Sequence, residues 1–144
     1  MDYQQSRAYI RDAEQYAGGA LDLTNIKEIM KRLGNPQDQL KYVHVAGTNG
    51  KGSVIAYLYT TLTNAGYHVG RYISPSVYSY REKIEVEGTP ISREQFAKHT
   101  TRVAAVIEEM TAEGLAHPTP FEIETAVAFL FFAEEKCLIR SSWK

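Results

Sequence analysis

The stretch Val43-His44-Val45-Ala46-Gly47-Thr48-Asn49-Gly50-Lys51-Gly52-Ser53-Val54 joins a β-rich run to a helical one through a glycine turn with a lysine at the bend. Those residue types suit a polyphosphate. Glycines let the backbone close around an anion without Cβ clashes and reach φ > 0 at little cost. The first N–H groups of a helix have no intrahelical partner and carry the positive end of the macrodipole, so a phosphate docked there satisfies donors and charge together. Lys51 adds an ammonium, and the hydroxyl of Ser53 or Thr48 is of the type that reaches a Mg²⁺ bridging phosphate oxygens. The spacing is compact: Thr48 and Asn49 alone separate Gly47 from Gly50-Lys51, fewer residues than the standard phosphate loop uses, and Gly52 follows the lysine.

The elements that must hold this turn are legible on both sides. Tyr42-Val43-His44-Val45 is short and β-rich, and Val54, Ile55, Leu58, Leu62 and Ala65 recur with helical period as far as Gly66. Tyr67 to Ile73 reads as a second strand. Residues 42 to 73 are therefore expected to form a right-handed strand–helix–strand unit, with the glycine turn at the carboxyl ends of parallel strands where α/β folds take ligands. Upstream, Tyr9, Ile10, Ala13, Tyr16 and Ala17 mark one helix stopping at Gly18-Gly19, and Ile26, Ile29, Met30 and Leu33 a second closing at Gly34 with Pro36 beyond. After Pro75 a long, polar, tyrosine-rich loop has the look of a functional segment. Lys83 to Glu87 then alternates like a half-exposed strand. Ser92-Arg93-Glu94-Gln95 is a capping box for a long helix ended by Gly114, and Thr119-Pro120-Phe121-Glu122 repeats that logic with proline at the first helical position. Ile123 to Ala133 is apolar nearly all round, a pattern that expects burial.

With 144 residues, 44% hydrophobic and 23% charged, the chain fits one ordinary globular α/β domain. A net charge of −1 supplies no footprint for nucleic acid, so any anion must be held by local geometry. The single cysteine, Cys137, excludes an internal disulfide and is expected to pack. The N-terminus lacks a secretory pattern and the longest apolar run, Ala126 to Ala133, is too short for a bilayer, so no membrane role and a cytoplasmic setting are expected. His44 reads as a packed strand histidine, and His68, His99 and His117 lack metal-ligand spacing.

The motifs together carry a family resemblance. Leu33-Gly34-Asn35-Pro36-Gln37 through Ser53, with the compact Gly-Thr-Asn-Gly-Lys-Gly-Ser loop, resembles the N-terminal signature of folylpolyglutamate synthases and bifunctional dihydrofolate synthases, within the wider Mur ligase superfamily. Tyr72-Ile73-Ser74-Pro75, then Arg81-Glu82-Lys83-Ile84, then Pro118-Thr119-Pro120-Phe121-Glu122 with Thr125, Ala128 and Phe129, are similar to later family motifs in the same order. The resemblance covers about residues 21 to 137. It implies a phosphate-loop Mur-ligase-like domain, a parallel sheet with flanking helices. It also implies ATP- and Mg²⁺-dependent addition of L-glutamate to a folate or dihydropteroate carboxylate through an acyl phosphate, by an enzyme monomeric at full length. Catalysis of that kind is mostly positioning and charge neutralisation.

Carried onto this sequence, the resemblance gives Gly47, Thr48, Asn49, Gly50, Lys51, Gly52 and Ser53 the phosphates of ATP, with Lys51 neutralising the transferring group as the catalytic residue. Ser53 and Ser74 become the metal-facing hydroxyls, although a serine before proline also forms turns. Phe121 and Glu122 fall in a motif lining the pterin side, and Asp22 and Leu23 in a folate-facing loop. Glu122 equally serves as capping partner of Thr119, and Phe121 as core. Tyr72, Tyr78 and Tyr80 around the Ser74-Pro75 turn offer a weaker stacking signal. Ser76 stands where many relatives carry histidine, so a contact assigned to that histidine does not transfer.

Beyond Cys137 the resemblance implies a strand ending in a metal-binding glutamate, and further on a C-terminal domain. Leu138-Ile139-Arg140-Ser141-Ser142-Trp143-Lys144 is read instead as an atypical tail, of the kind a frameshift gives. One codon choice for it, read two bases later, encodes Asp-Pro-Phe-Val-Leu-Glu-Val. On that reading the chain is the N-terminal part of the domain, inactive alone, and Ile123 to Ala133 exposes an apolar face. The alternatives are a non-catalytic nucleotide-binding fragment and a Mur-type ligase for another amino-acid acceptor.

Overall fold

The structure, a computed structural model, describes residues 1–18, 22–76, 78–137 and 139–143, the last group by backbone alone. In chain order the elements begin with α1 (Tyr3–Asp12), α2 (Thr24–Arg32), β1 (Lys41–Val45), α3 (Lys51–Asn64) and β2 (Val69–Tyr72). They continue with β3 (Ile84–Val86), β4 (Thr89–Pro90), α4 (Arg93–Ala112), α5 (Pro120–Glu134) and β5 (Ile139–Trp143). The chain forms two compact units, each built from separated stretches: Met1–Gln37 with Arg93–Phe131, and Asp38–Ser92 with Phe132–Lys144.

The first unit is helical. Asp2 caps α1 by accepting from Gln5 N–H at 2.8 Å while the Gln5 side chain accepts from Asp2 N–H, a capping box whose Asp-x-x-Gln pattern was present in the sequence. The helix tightens into a 3₁₀ turn over Ala13–Tyr16 rather than running on to Ala17. α4 is the spine of this unit, burying Phe96, Ala97, Val103, Ile107 and Met110 at helical spacing. Tyr3 meets Phe96 edge-on at 5.6 Å, and Arg32 of α2 grips Glu113 just beyond α4.

The second unit is a five-stranded sheet in the order β1-β5-β2-β3-β4. β1 and β2 are parallel, as a strand–helix–strand crossover requires, but they are not neighbours: β5 lies between them, parallel to both, with Val43 and Arg71 each in register with Ser141. Residues 139–143, within the segment read as an atypical tail, thus form a central strand. β3 returns antiparallel to β2, and Ile84, Glu85 and Val86 are all buried, so the alternation in that segment does not mark a half-exposed strand. Its alternating carboxylate, Glu85, is taken up by Arg71, whose Nη2 donates to Glu85 Oε2.

α5 corrects a second expectation. Ile123, Ala126, Val127, Ala128, Leu130, Phe131 and Phe132 are all buried, so the helix leaves no apolar face open. In the sheet unit its last turn seats Phe132 directly over β2. A Cβ on Gly70 would stand 2.3 Å from a Phe132 ring carbon, so the glycine is what lets the ring lie against the strand. Among the described residues no helix is long and apolar enough to cross a membrane.

Candidate functional site

β1 ends at Val45 and the chain turns through Gly47, Thr48, Asn49 and Gly50 into α3. Gly47 has φ 151° and Gly50 φ 77°, values that side chains with a Cβ adopt at a cost, so both glycines are required by the path itself. Gly50 is the N-cap of α3 and offers no side chain to the first-turn N–H groups. Helix geometry leaves those donors without an acceptor inside the helix, and they carry its positive end.

Lys51 opens α3 and is half-buried. Its Nζ donates to the carbonyl oxygen of Gly47 and, at 3.4 Å, to that of Thr48. The ammonium therefore sits over the turn, on the side where the loop closes on itself. Gly52 and Ser53 are exposed, and a Cβ at Gly50 or Gly52 would meet nothing within 4 Å, which leaves room above the turn. First-turn amide donors, one ammonium and open space together fit a phosphate chain.

Ser74 follows the carboxyl end of β2, half-buried, with a cis bond to Pro75. The glycine turn and Ser74 thus leave parallel strands at the same end of one sheet, β1 and β2, separated by β5. No group of three His, Cys, Asp or Glu among the described residues has metal-binding geometry. Ser53 and Ser74 offer neutral oxygens only, a donor set that fits a Mg²⁺ which keeps several waters and takes its anionic ligands from a nucleotide.

The remaining predicted site residues lie in the helical unit. Asp22 Oδ1 accepts from Thr24 N–H at 2.8 Å, a bond that holds its carboxyl below the ordinary carboxylate range, and Leu23 is 57% exposed. Phe121 stands at the surface, so it is not core. Glu122 Oε2 accepts from both the N–H and the hydroxyl of Thr119, at 2.8 and 2.9 Å, which makes it the capping partner the sequence offered as one of its two roles. Tyr72 is buried and presents no ring face to a ligand, Tyr80 carries the Lys83 ammonium 4.5 Å above its ring, and Tyr78 is the exposed member of the three. His44 is exposed rather than packed, because β1 is the outermost strand. Arg81, in the Arg81-Glu82-Lys83-Ile84 motif, donates from its guanidinium to Ile91 C=O at 2.9 Å and ties the loop after Ser74 to the β4 hairpin.

No protein-family model matches the chain. It is 40% identical over 132 residues to the dihydrofolate synthase/folylpolyglutamate synthase of Bacillus subtilis, covering 92% of this chain and 30% of that protein. The structure of the folylpolyglutamate synthetase of Lactobacillus casei superposes with a TM-score of 0.91 at 31% identity, over 99% of this chain and 36% of that one. A solved folylpolyglutamate synthase complex with AMPPCP and folate superposes with a TM-score of 0.87 at 30% identity, over 99% of this chain and 35% of its own. The chain spans about a third of the length of the relatives it matches.

Proposed function

We propose that this chain, a homologue of the folylpolyglutamate and dihydrofolate synthases over about a third of their length, holds the nucleotide-gripping part of an ATP-dependent ligase. The reaction is addition of L-glutamate to a folate or dihydropteroate carboxylate. A carboxylate gives an amine no usable leaving group, so the oxygen to be displaced first takes the γ-phosphoryl group, which ATP with Mg²⁺ supplies when bound. The chain's own residues do the positioning. Gly47 and Gly50 set the turn, the first amides of α3 face the phosphates, and Lys51 moves its ammonium from the loop carbonyls to the transferring phosphoryl group. Ser53 and Ser74 are the hydroxyls on the metal side.

Asp22, Leu23 and Phe121 are the residues we assign to the folate side in the helical unit, with Leu23 and Phe121 offering exposed apolar surface to a pterin or benzoyl ring. Glu122 holds the start of α5 so that Phe121 keeps its place. The complete enzyme works as a monomer in a reducing cytoplasm, in keeping with the one buried thiol, Cys137.

The observation that carries this reading is the bare glycine N-cap of α3 with the Lys51 ammonium over the turn. Calorimetric titration of the chain with a non-hydrolysable ATP analogue and Mg²⁺ tests it. Lys51→Ala is expected to weaken binding at least tenfold, about 1.4 kcal/mol, with far-UV circular dichroism unchanged. Equal affinity of the two proteins would show that the loop does not hold the phosphates.

A further inference from the structure

We propose that Tyr59 is a positioning residue for the phosphate turn, fixing the direction of the helix whose open start faces the nucleotide, a role that presupposes the nucleotide reading above. α3 runs over fourteen residues and buries Ile55 alone. Between Lys51 and Arg71 the sequence has no Asp, Glu, Lys or Arg, so past its first residue the helix has no charged side chain to pair with the sheet. Lys51, Ile55 and Tyr59 recur every four residues and share one face. Tyr59 is half-buried there, and two partners hold it. Its hydroxyl accepts from Gly88 N–H, and the Arg71 guanidinium stands 5.4 Å from its ring centroid. Burial holds that hydroxyl above the ordinary phenol range, so the oxygen stays neutral.

Both partners are themselves fixed. Gly88 closes a two-residue turn between β3 and β4, with Val86 opposite Thr89 and both turn residues left-handed, Glu87 at φ 50° and Gly88 at φ 77°. Glu87 N–H donates to Val69 C=O at 3.2 Å and its carboxylate lies 2.8 Å from His68 Nδ1, which pins the turn to the start of β2. Arg71 is held in turn by Glu85, which is 8% exposed. Two points fix a helix axis, and Ile55 and Tyr59 are such points one turn apart. With the Tyr59 point removed, a tilt of about 10° about Ile55 displaces the start of α3 by about 1 Å, whereas binding groups need placing to within about 0.5 Å. Arg71 lies in the strand that leads to Ser74, so the same tie relates the two hydroxyls on the metal side.

Calorimetric titration with the non-hydrolysable ATP analogue and Mg²⁺, on variants shown to be folded by circular dichroism, tests this role. Tyr59→Leu removes hydroxyl and ring together and is expected to weaken binding about tenfold, and Tyr59→Phe, which keeps the ring beside Arg71, about threefold. Tyr57→Leu makes the same change at a ring 77% exposed on the same helix and should bind as the native chain does. A tyrosine that only stabilised the fold would lower the melting temperature without moving the affinity of the folded chain. Hydrogen exchange at Gly88 reports the tie itself and should quicken in Tyr59→Phe. Native affinity in both Tyr59 variants, with Lys51→Ala impaired, would overturn the positioning role and leave the phosphate turn standing. Equal losses in Tyr57→Leu and Tyr59→Leu would overturn it too. Failure of the native chain to bind, or undiminished binding by Lys51→Ala, would instead remove the phosphate turn and this role with it. Should Tyr59→Leu not fold, Tyr59→Phe decides alone, and native affinity there rejects the proposal.

Discussion

α3 and α5 are the two most apolar helices of the molecule, and each begins at a motif that the sequence marks for function. Their starts treat hydrogen-bond donors in opposite ways. At α5, Thr119 and Glu122 cap one another, with Glu122 N–H donating to Thr119 Oγ1 at 3.3 Å and the Glu122 carboxylate taking the Thr119 donors in return. At α3, a left-handed glycine stands at the cap and has no side chain to give. A helix that satisfies its own first turn is anchored; one that leaves it open keeps its positive end for an anion. Their flanks differ in the same sense, since α5 buries seven apolar side chains between Ile123 and Phe132 and α3 buries one residue. The contrast separates a self-capped helix start from an open one, although both read as motifs in the sequence.

The largest expected effects lie where α5 meets the sheet. Phe132 is fully buried, and Phe132→Ala should cost about 3–5 kcal/mol through lost burial and the cavity left behind. Gly70→Ala should cost about 1–3 kcal/mol or more, because the new methyl would fall 2.3 Å from the Phe132 ring. Chemical denaturation measures both. The sharper result is their coupling: Phe132→Leu should relieve much of the Gly70→Ala penalty, whereas simple additivity would mean that the ring and the strand do not meet as described.

The two helix starts come next and test the comparison directly. Thr119→Ala removes the α5 cap and should destabilise by about 0.5–2 kcal/mol without changing nucleotide affinity. Gly50→Ala meets no neighbour within 4 Å, so its cost is the left-handed backbone alone, about 1–2 kcal/mol, and it should also weaken nucleotide binding by reshaping the turn. Melting curves and titration of each variant separate the two signatures. Loss of nucleotide binding by the Thr119 variant, with Gly50→Ala binding normally, would reverse the assignment of the two termini.

Much of this arrangement was legible in the residues. Periodicity placed α2, α3, α4 and α5, and the glycines around Lys51 identified the turn, because both signals are local. What escaped was set by distant partners. Glu85 looked like the solvent side of a strand but pairs with Arg71, fourteen residues away in sequence. His44 looked packed because its strand is β-rich, yet the strand lies at the sheet edge, a property of strand order rather than of spacing. β5 has weak strand character of its own, and its two parallel neighbours supply the pairing that fixes it. Tyr72 carried a stacking signal by type and position, and alternation along β2 turns it inward instead.

The smallest effect expected is electrostatic, and it belongs to the helical unit. Arg32 of α2 donates from Nε to Glu28 at 2.7 Å and from Nη1 to Glu113 at 3.0 Å, while Glu109 stands 3.9 Å away. The hydrogen bond from Arg32 holds the Glu113 carboxyl below its ordinary value. A carboxylate more acidic in the folded than in the unfolded chain stabilises the fold fully above the unfolded value, about 4.3 for glutamate, and loses that contribution as pH falls through the lower folded one. The stability difference between the native chain and Glu113→Gln should therefore hold constant near neutrality and shrink on acidification below the usual glutamate range. Because Glu113 is exposed, added salt should shrink it as well. A difference that persisted unchanged into strong acid would mean that Glu113 acts through packing or a neutral hydrogen bond, and that Arg32 does not join α2 to α4 by charge.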